Sequence, residues 1–299
     1  MDKKDRLDVF GIVSLVALSA LLGFNQVVIK VVNEGLQPVF FAGLRSAGAT
    51  LCLAGWMWFR GISLWPRDGT WRAGFLIGLV FAAEFVFLFL ALDLTTVSRT
   101  SVIFYSMPLW MAIGAHYLLP GQQITPLKAV GLGLAFAGVA VAILSRSDSG
   151  EGSLIGDLCA LGGALGWAGS GLMARATVLR DETPEMQLFW QVAVSAPILL
   201  LVAVFFGPFV RDLAPIHLWG LAFQIVVVVS AAFVFWLWLL SIYPPASVAA
   251  YGFLGPIFGV AFGWLMLGEE VGGSILGALA LVAGGLYLIN HPRAVQATA

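Results

Sequence analysis

Charged residues are scarce in this chain, and their scarcity excludes a soluble globular protein. Only 10% of the 299 residues are Asp, Glu, Lys or Arg, whereas soluble domains carry about 25%. Hydrophobic residues make up 60% of the chain, and its mean hydropathy is +0.97. A formal net charge of -1 provides no basic excess to neutralise phosphates, so we expect no nucleic-acid partner. The composition predicts an integral membrane protein whose main solvent is the lipid bilayer.

Cysteine pairs, metal-ligand clusters and catalytic motifs are also missing from the sequence. Its two cysteines, Cys52 and Cys159, both lie in apolar runs, so neither a disulfide framework nor a metal site is predicted. No H-E-x-x-H, G-x-S-x-G, paired-aspartate or P-loop motif occurs. We therefore expect no catalytic residue, no metal and no cofactor. An intramembrane enzyme is kept as the alternative from another class, and a structural or receptor-like bundle is not excluded by sequence.

Long apolar runs recur along the whole chain between short turn signals. A helix needs about 20 residues to cross a hydrocarbon core of about 30 Å, and ten windows of suitable length can be placed. They cover residues 9–32, 38–59, 73–94, 99–119, 127–144, 155–177, 186–208, 218–242, 246–267 and 273–290. The sequence therefore predicts an all-α integral membrane fold with ten transmembrane helices.

The distribution of Lys and Arg predicts the orientation of these helices, because positive residues are retained on the cytoplasmic side. With a cytoplasmic N-terminus, ten positive residues lie inside: Lys3, Lys4, Arg6, Arg60, Arg67, Arg72, Lys128, Arg175, Arg180 and Arg293. Only Arg99, Arg146 and Arg211 lie outside. We predict that both termini are cytoplasmic and that the protein is a multi-pass protein of the cell inner membrane.

Two halves of the sequence match each other at a displacement of 147 or 148 residues. The matching pairs are Phe87 with Phe235, Leu92 with Leu240, Pro108 with Pro256, and Gly121-Gln122 with Gly268-Glu269. Five helices per half make the second half inverted, and inverted repeats favour alternating access about a central site. The predicted segments are a cytoplasmic N-terminus at 1–8, a first repeat at 9–146, an extracytoplasmic linker at 147–152, a second repeat at 153–290 and a cytoplasmic tail at 291–299.

Several local patterns carry a family resemblance over nearly the whole chain. Pro256 is followed by the Trp264–Glu269 stretch and a glycine-rich last helix, and Gly-aromatic pairs occur in helices 1 and 6. With the five-plus-five repeat, the chain resembles the drug/metabolite transporter superfamily, EamA type. The resemblance implies a secondary transporter, and similarity to the family's aromatic amino acid exporters implies export of aromatic and other hydrophobic amino acids. Gln122 stands where the loop acid is expected, so any role of that acid carries over only to Glu269.

Two charged residues fall deep inside predicted helices, where a charge costs about 2.5–3.5 kcal/mol at the bilayer centre. Glu84 lies eleven residues into the third helix, and Arg45 lies about 10 Å from the end of the second. Each could contact the substrate, Glu84 through an ammonium group and Arg45 through a carboxylate. They could instead pair with each other, and we prefer this pairing. Lys30, two residues from a helix end, is expected to extend to the membrane interface.

Uncharged polar and aromatic residues inside the helices complete the candidate substrate site, because small-ligand pockets are mostly apolar with a few placed polar groups. The candidates are Asn25, Gln26, Tyr105, Trp110, Trp167, Trp190, Gln191 and Tyr251. Aromatic residues also form interfacial belts, which is the alternative reading. A sugar phosphate or nucleotide sugar would require several basic groups, so amino acids or neutral hydrophobic metabolites are favoured as the small-molecule substrate. The oligomeric state is left open between monomer and homodimer.

The topology can be tested with reporter fusions placed in the predicted loops. We expect fusions at Glu34 and Gly150 to report the extracytoplasmic side, and fusions at Asp68 and Glu182 to report the cytoplasm. A reversed pattern in either half would contradict the ten-helix topology.

Overall fold

A computed structural model describes residues 7–145, 152–243, 248 and 251–290 of the protein. Within these ranges the regular elements are helices, and no strand occurs beyond one isolated bridge between Leu36 and Val210. Six helical segments are long and apolar enough to cross a membrane: Val9–Gly35, Pro38–Phe59, Trp71–Leu94, Pro126–Leu144, Pro184–Phe206 and Pro215–Trp236. The all-α class is confirmed.

Each of the ten predicted windows contains a described helix. The helices are α1 (Val9–Gly35), α2 (Pro38–Phe59), α3 (Trp71–Leu94), α4 (Val97–Phe104), α5 (Met107–Leu118), α6 (Pro126–Leu144), α7 (Leu154–Ala176), α8 (Pro184–Val202), α9 (Pro215–Phe223), α10 (Ala232–Ile242), α11 (Leu254–Leu267) and α12 (Gly273–Asn290). Membrane crossing by the shorter ones stays a prediction. We use "outer end" for the end of the bundle that the predicted topology places outside the cytoplasm.

Prolines divide two of the predicted helices at repeat-related places. The fourth window is split into α4 and α5, with Pro108 at the second position of α5. In the second half, Pro256 lies in the first turn of α11, which follows a 3₁₀ turn at Tyr251–Phe253. Proline lacks the N–H that a helix interior requires but fits the first turn. Both prolines therefore lie at helix starts rather than inside continuous helices.

A π-helix interrupts the segment that was predicted as one helix over 218–242. Residues Gln224–Ala231 form this π-helix between α9 and α10. Its Ser230 hydroxyl donates a hydrogen bond to the Ile225 carbonyl at 2.8 Å, five residues earlier. Hydropathy does not distinguish π from α geometry, so the π-helix could not be predicted from the sequence. Such π segments frequently occur at functional sites.

Small residues allow several helices, α6 and α7 among them, to approach their neighbours closely. A Cβ added at Gly166 of α7 would lie 2.8 Å from the Glu84 Cβ on α3, and one at Gly131 of α6 would lie 2.8 Å from the Gly285 carbonyl oxygen on α12. Backbone packing of this kind holds helices together in lipid. Three glycines of α12 do not serve such packing, because no described atom lies within 4 Å of a Cβ added at Gly273, Gly277 or Gly284.

The internal repeat has a counterpart in backbone conformation. Gly121 and Gly268, which the sequence comparison aligns at a displacement of 147 residues, both have φ in the left-handed region, at 78° and 66°. Both follow a helix, α5 and α11 respectively. Glycine is favoured there because it carries no Cβ. The two halves thus share a left-handed glycine in the loop after the corresponding helix.

Arg99 and Asp157 form a buried ion pair at the outer end. The Arg99 Nε donates to the Asp157 Oδ1 at 3.0 Å and its Nη2 lies 2.5 Å from Oδ2, while Nη1 donates to the Ser145 carbonyl at 3.1 Å. Arg99 is 4% exposed and Asp157 is 0% exposed. The pair therefore joins α4 to α7 inside the bundle rather than at its solvated surface.

Lys30 also has an assigned partner at the outer end. Its Nζ donates to the carbonyls of Leu92 and Thr95 at 3.1 and 2.8 Å. These carbonyls end α3 and lack partners within the helix, and a cation there is favoured by the helix dipole. Lys30 therefore caps α3 rather than extending to the membrane interface as predicted.

Breaking the buried ion pair should destabilise the fold. We expect Asp157→Ala to lower stability by roughly 3–5 kcal/mol, because the Arg99 charge is left buried without its partner. Thermal unfolding of the purified protein in detergent measures the effect.

The control is Arg180→Ala, since Arg180 and Asp181 lie 3.8 Å apart with side chains 70% and 62% exposed, and such surface pairs contribute about 0–1 kcal/mol. Equal melting temperatures for the two variants would contradict the structural role of the buried pair.

Candidate functional site

Glu84 lies in the interior between α3 and α7, with one hydrogen-bond partner. The carboxylate residue is 3% exposed. The Ser170 hydroxyl on α7 donates to its Oε2 at 3.3 Å, and the absence of a side chain at Gly166 brings the α7 backbone against it. A buried carboxylate usually requires a counter-charge or several donors. A single hydroxyl leaves most of its hydrogen-bonding capacity available.

Arg45 lies on α2 and faces the aromatic side chains of α3. Its guanidinium carbon is 4.3 Å from the centre of the Phe85 ring and 5.7 Å from that of Phe89, so cation–π attraction holds the side chain in place. Arg45 is 7% exposed, and its buried Nε has no hydrogen-bond partner.

The preferred sequence hypothesis, a direct ion pair between Arg45 and Glu84, was wrong. Among the ion pairs between described residues, none joins these two, although their charges are close enough to interact through space. Glu84 is directed toward α7 by Gly166, whereas Arg45 is held on the Phe85 ring. Two opposite charges therefore lie near each other without neutralising each other by direct contact.

A third polar group, the amide of Gln26 on α1, meets the aromatic residues of α4 and α7. The Ser101 hydroxyl donates to Gln26 Oε1 at 2.6 Å, whereas Gln26 Nε2 is buried without a partner. The Gln26 side chain lies close to the Tyr105 hydroxyl. Trp167 stacks on Phe104 with ring centres 5.1 Å apart and meets Tyr105 edge-on at 6.1 Å. The structure thus brings Gln26, Tyr105 and Trp167 together, and their contact with a substrate stays a prediction.

The second half of the chain closes this group from the side of α11. A Cβ at Gly255 would lie 2.8 Å from the Tyr105 ring, and one at Gly259 would lie 2.0 Å from the Ser101 hydroxyl. Only glycine permits so close an approach of the α11 backbone. The aromatic residues and the carboxylate meet along α7, where Trp167 directly follows Gly166. The candidate site is therefore built from α1, α2, α3, α4, α7 and α11.

Asn25 lies at the edge of the site, where α1 meets the π-helix. The Gln224 side-chain amide donates to the Asn25 Oδ1, and Gln224 is completely buried. The Gln224 Oε1 has no partner. Sequence reasoning missed Gln224, together with Ser101 and Ser170. The only available signal was that each is a polar residue within a long apolar run.

Two predicted site residues, Trp110 and Tyr251, pack elsewhere. Trp110 donates from Nε1 to the Ser106 hydroxyl at 3.2 Å and packs beside a buried apolar cluster formed with α6 and α12. Tyr251 packs with an apolar cluster of α1 and α10. No described contact connects either residue with Glu84 or Arg45.

Trp190 and Gln191 on α8 also lie apart from the group. Trp190 packs against the backbone of Gly74, and its buried Nε1 has no partner. Gln191 donates to the Gln187 carbonyl one turn earlier in its own helix at 3.2 Å. The described residues contain no group of three His, Cys, Asp or Glu side chains that could hold a metal ion.

Several known proteins of similar sequence are named as transporters or efflux pumps. The chain is 22% identical to the transporter YoaV of Bacillus subtilis over 90% of this chain and 93% of that protein. It is 27% identical to the Bacillus subtilis transporter YvbV, over 95% and 93% of the two chains. A protein of Escherichia coli named a probable amino-acid metabolite efflux pump is 24% identical, over 96% and 95%.

A solved crystal structure shares the fold. It superposes with a TM-score of 0.66 at 18% sequence identity, covering 92% of this chain and 95% of the other. The sequence profile of the EamA-like transporter family matches residues 9–144 and again residues 154–291. The two matches cover most of the chain, and the protein is thus a multi-pass membrane protein that belongs to the EamA-like transporter family.

Proposed function

We propose that the protein is a secondary exporter of amino acids, aromatic and other hydrophobic ones included, or of closely similar small metabolites. The observation that carries this proposal is the placement of Arg45 and Glu84: both are buried, and neither forms an ion pair with any other residue that the structure describes, although their charges interact through space. An uncompensated charge in the membrane interior marks a substrate or ion site. Two opposite charges fit a zwitterion.

The transport path follows from the inverted repeat. In this proposal ten spans form two five-helix halves at 9–146 and 153–290, with both termini in the cytoplasm of a bacterial cell and the site near the middle of its inner membrane. The two matches of the family profile, at 9–144 and 154–291, support this division. Repeats of this kind open a central site to one side of the membrane at a time.

The proposed binding mode gives each part of an amino acid its own partner. The substrate carboxylate accepts hydrogen bonds from the Arg45 guanidinium, and the substrate ammonium donates to Glu84. The unpartnered Nε2 of Gln26 is a further donor for the carboxylate. Tyr105 and Trp167 provide an aromatic surface for the side chain, which accounts for a preference for hydrophobic amino acids.

A sugar phosphate or a nucleotide sugar is the alternative substrate class, and the site is less suited to it. A phosphate group would require several basic side chains. Arg45 is the basic residue that contacts the described site, and Lys30 is occupied by the carbonyls that end α3. The name of the Escherichia coli relative, a probable amino-acid metabolite efflux pump, also favours the amino acid.

Flux of radiolabelled phenylalanine through purified protein in liposomes tests the proposal. We expect Arg45→Ala and Glu84→Gln each to reduce flux by about tenfold or more, because each removes one charge-assisted contact with the substrate. Lys30→Ala should retain more transport than Arg45→Ala, since Lys30 contacts only backbone carbonyls.

Two exposed residues provide matched controls, Glu34→Gln for the carboxylate and Arg60→Gln for the guanidinium. Melting temperatures in detergent separate lost binding from lost folding. Full phenylalanine flux by both site variants would contradict the assignment of the site, and flux of sugar phosphates without flux of amino acids would contradict the substrate class.

A further inference from the structure

Glu269 joins the two halves of the protein at the outer end. It follows the left-handed Gly268 in the loop between α11 and α12, and it is 7% exposed. Its carboxylate accepts hydrogen bonds from the backbone N–H of Val97 at 2.6 Å, from the backbone N–H of Ser98 at 2.8 Å and from the Ser98 hydroxyl at 2.7 Å. All three donors belong to the first turn of α4, in the other half of the chain.

These three bonds form a strong joint. The first N–H groups of a helix have no partner within the helix, and the helix dipole favours a negative charge there. Hydrogen bonds to an ionised carboxylate are about twice as strong as neutral ones. The joint also closes tightly, because a Cβ at Gly263 of α11 would lie 2.6 Å from the Glu269 carboxylate.

Other bonds hold the same short turn between α3 and α4. Arg99 in the first turn of α4 pairs with Asp157 of α7, and the Thr95 hydroxyl donates to the same carboxylate at 3.2 Å. Lys30 of α1 donates to the Thr95 carbonyl. The turn is therefore fastened to α1, to α7 and to the loop that carries Glu269, so the outer end is closed in this structure.

At the opposite end the two halves are joined by a different carboxylate, Glu182, which accepts hydrogen bonds from the Arg67 N–H at 2.8 Å and the Thr70 hydroxyl at 2.9 Å. The residues that the repeat aligns with the Glu269 joint do not form such a joint among the described residues. Gln122, which aligns with Glu269, is exposed, and its side chain makes no hydrogen bond with the residues that the structure describes. At the displacement of 148 residues, Val97 aligns with Pro245. Proline has no backbone N–H to donate, and residue 245 lies outside the described part of the chain. The aligned positions thus lack both the acid and one donor of such a joint.

We propose that Glu269 is the positioning residue that keeps the outer end closed in the state that this structure describes. The inference rests on the proposed exporter function, for which cytoplasmic access is the state that loads substrate. Opening outward requires α4 to leave Glu269. The break at Tyr105–Ser106 between α4 and α5 allows α4 to move separately from α5.

Two variants weaken the joint in different ways. Glu269→Gln removes the charge while keeping the shape of the side chain. Val97→Pro removes one N–H donor and reproduces the residue of the second half, and the extended backbone of Thr96, with φ -76° and ψ 155°, is the conformation that proline requires before it. Val97 is also the first residue of α4, a position that proline tolerates.

Labelling of a single cysteine from each side of the membrane measures the closure. The reporter is Thr100→Cys in a background in which Cys52 and Cys159 are changed to alanine, because Thr100 is completely buried one turn into α4 and its hydroxyl has no partner. A membrane-impermeant maleimide is applied to right-side-out and inside-out vesicles. In the parent the reporter should react slowly from the outside.

We expect Glu269→Gln and Val97→Pro each to raise the outside labelling rate by about tenfold, the factor that corresponds to losing one strong hydrogen bond. Gln122→Glu is the control and should leave the rate unchanged. Slow outside labelling in every variant that retains the parent's melting temperature would overturn the proposal, as would fast outside labelling of the parent. Val97→Pro decides the matter if Glu269→Gln does not fold.

Labelling needs no substrate, so this experiment can be separated from the transport assay. Raised outside labelling without amino-acid flux would support the joint and contradict the proposed substrate. Amino-acid flux with unchanged labelling would support the exporter and contradict the role of Glu269.

Discussion

The cost of placing a charge inside a membrane determines how this structure is organised. Every charged side chain that enters the helical bundle needs a partner or a substrate to offset its desolvation. Arg99, Asp157, Lys30 and Glu269 all have protein partners at the outer end, where they hold the helices together. Among the described residues, Arg45 and Glu84 have neither an ion pair nor a full set of hydrogen bonds. The charges with ion pairs or several hydrogen bonds support the fold, and the two that lack them mark the candidate site.

The same constraint connects the closed end with the site. Glu269 holds the first turn of α4. The same helix carries Ser101 one turn further into the bundle, and Tyr105 directly follows its last residue. A movement that releases α4 from Glu269 would therefore also change the contact of Ser101 with Gln26 and of Tyr105 with Gly255. Closure of the outer end and the geometry of the site both depend on α4. Movement of this one short helix would therefore couple the two, as alternating access requires.

Hydropathy was sufficient to predict the helices, because a bilayer requires long apolar segments and little else produces them. The breaks before α5 and α11 lie at Pro108 and Pro256, which the two halves of the sequence share.

The partners of charged residues could not be predicted from the sequence. Arg99 and Asp157 are 58 residues apart and each lies near a helix end, where solvation is the usual outcome. Depth in a helix correctly selected Glu84 and Arg45 as buried, but Gly166 and Phe85 decide where their side chains point. Likewise, Trp110 and Trp190 have the right chemistry for the site, and only packing shows that they lie elsewhere.

Recognition of a zwitterion by Arg45 and Glu84 is the central claim, and binding to the wild-type protein tests it most directly. The measurement compares the affinity of detergent-purified protein for phenylalanine, for phenylalaninamide, which lacks the carboxylate, and for phenylpropanoate, which lacks the ammonium group. Each analogue leaves one buried charge without its partner, so each should bind at least about tenfold more weakly than phenylalanine. Equal affinity for all three compounds would contradict the account.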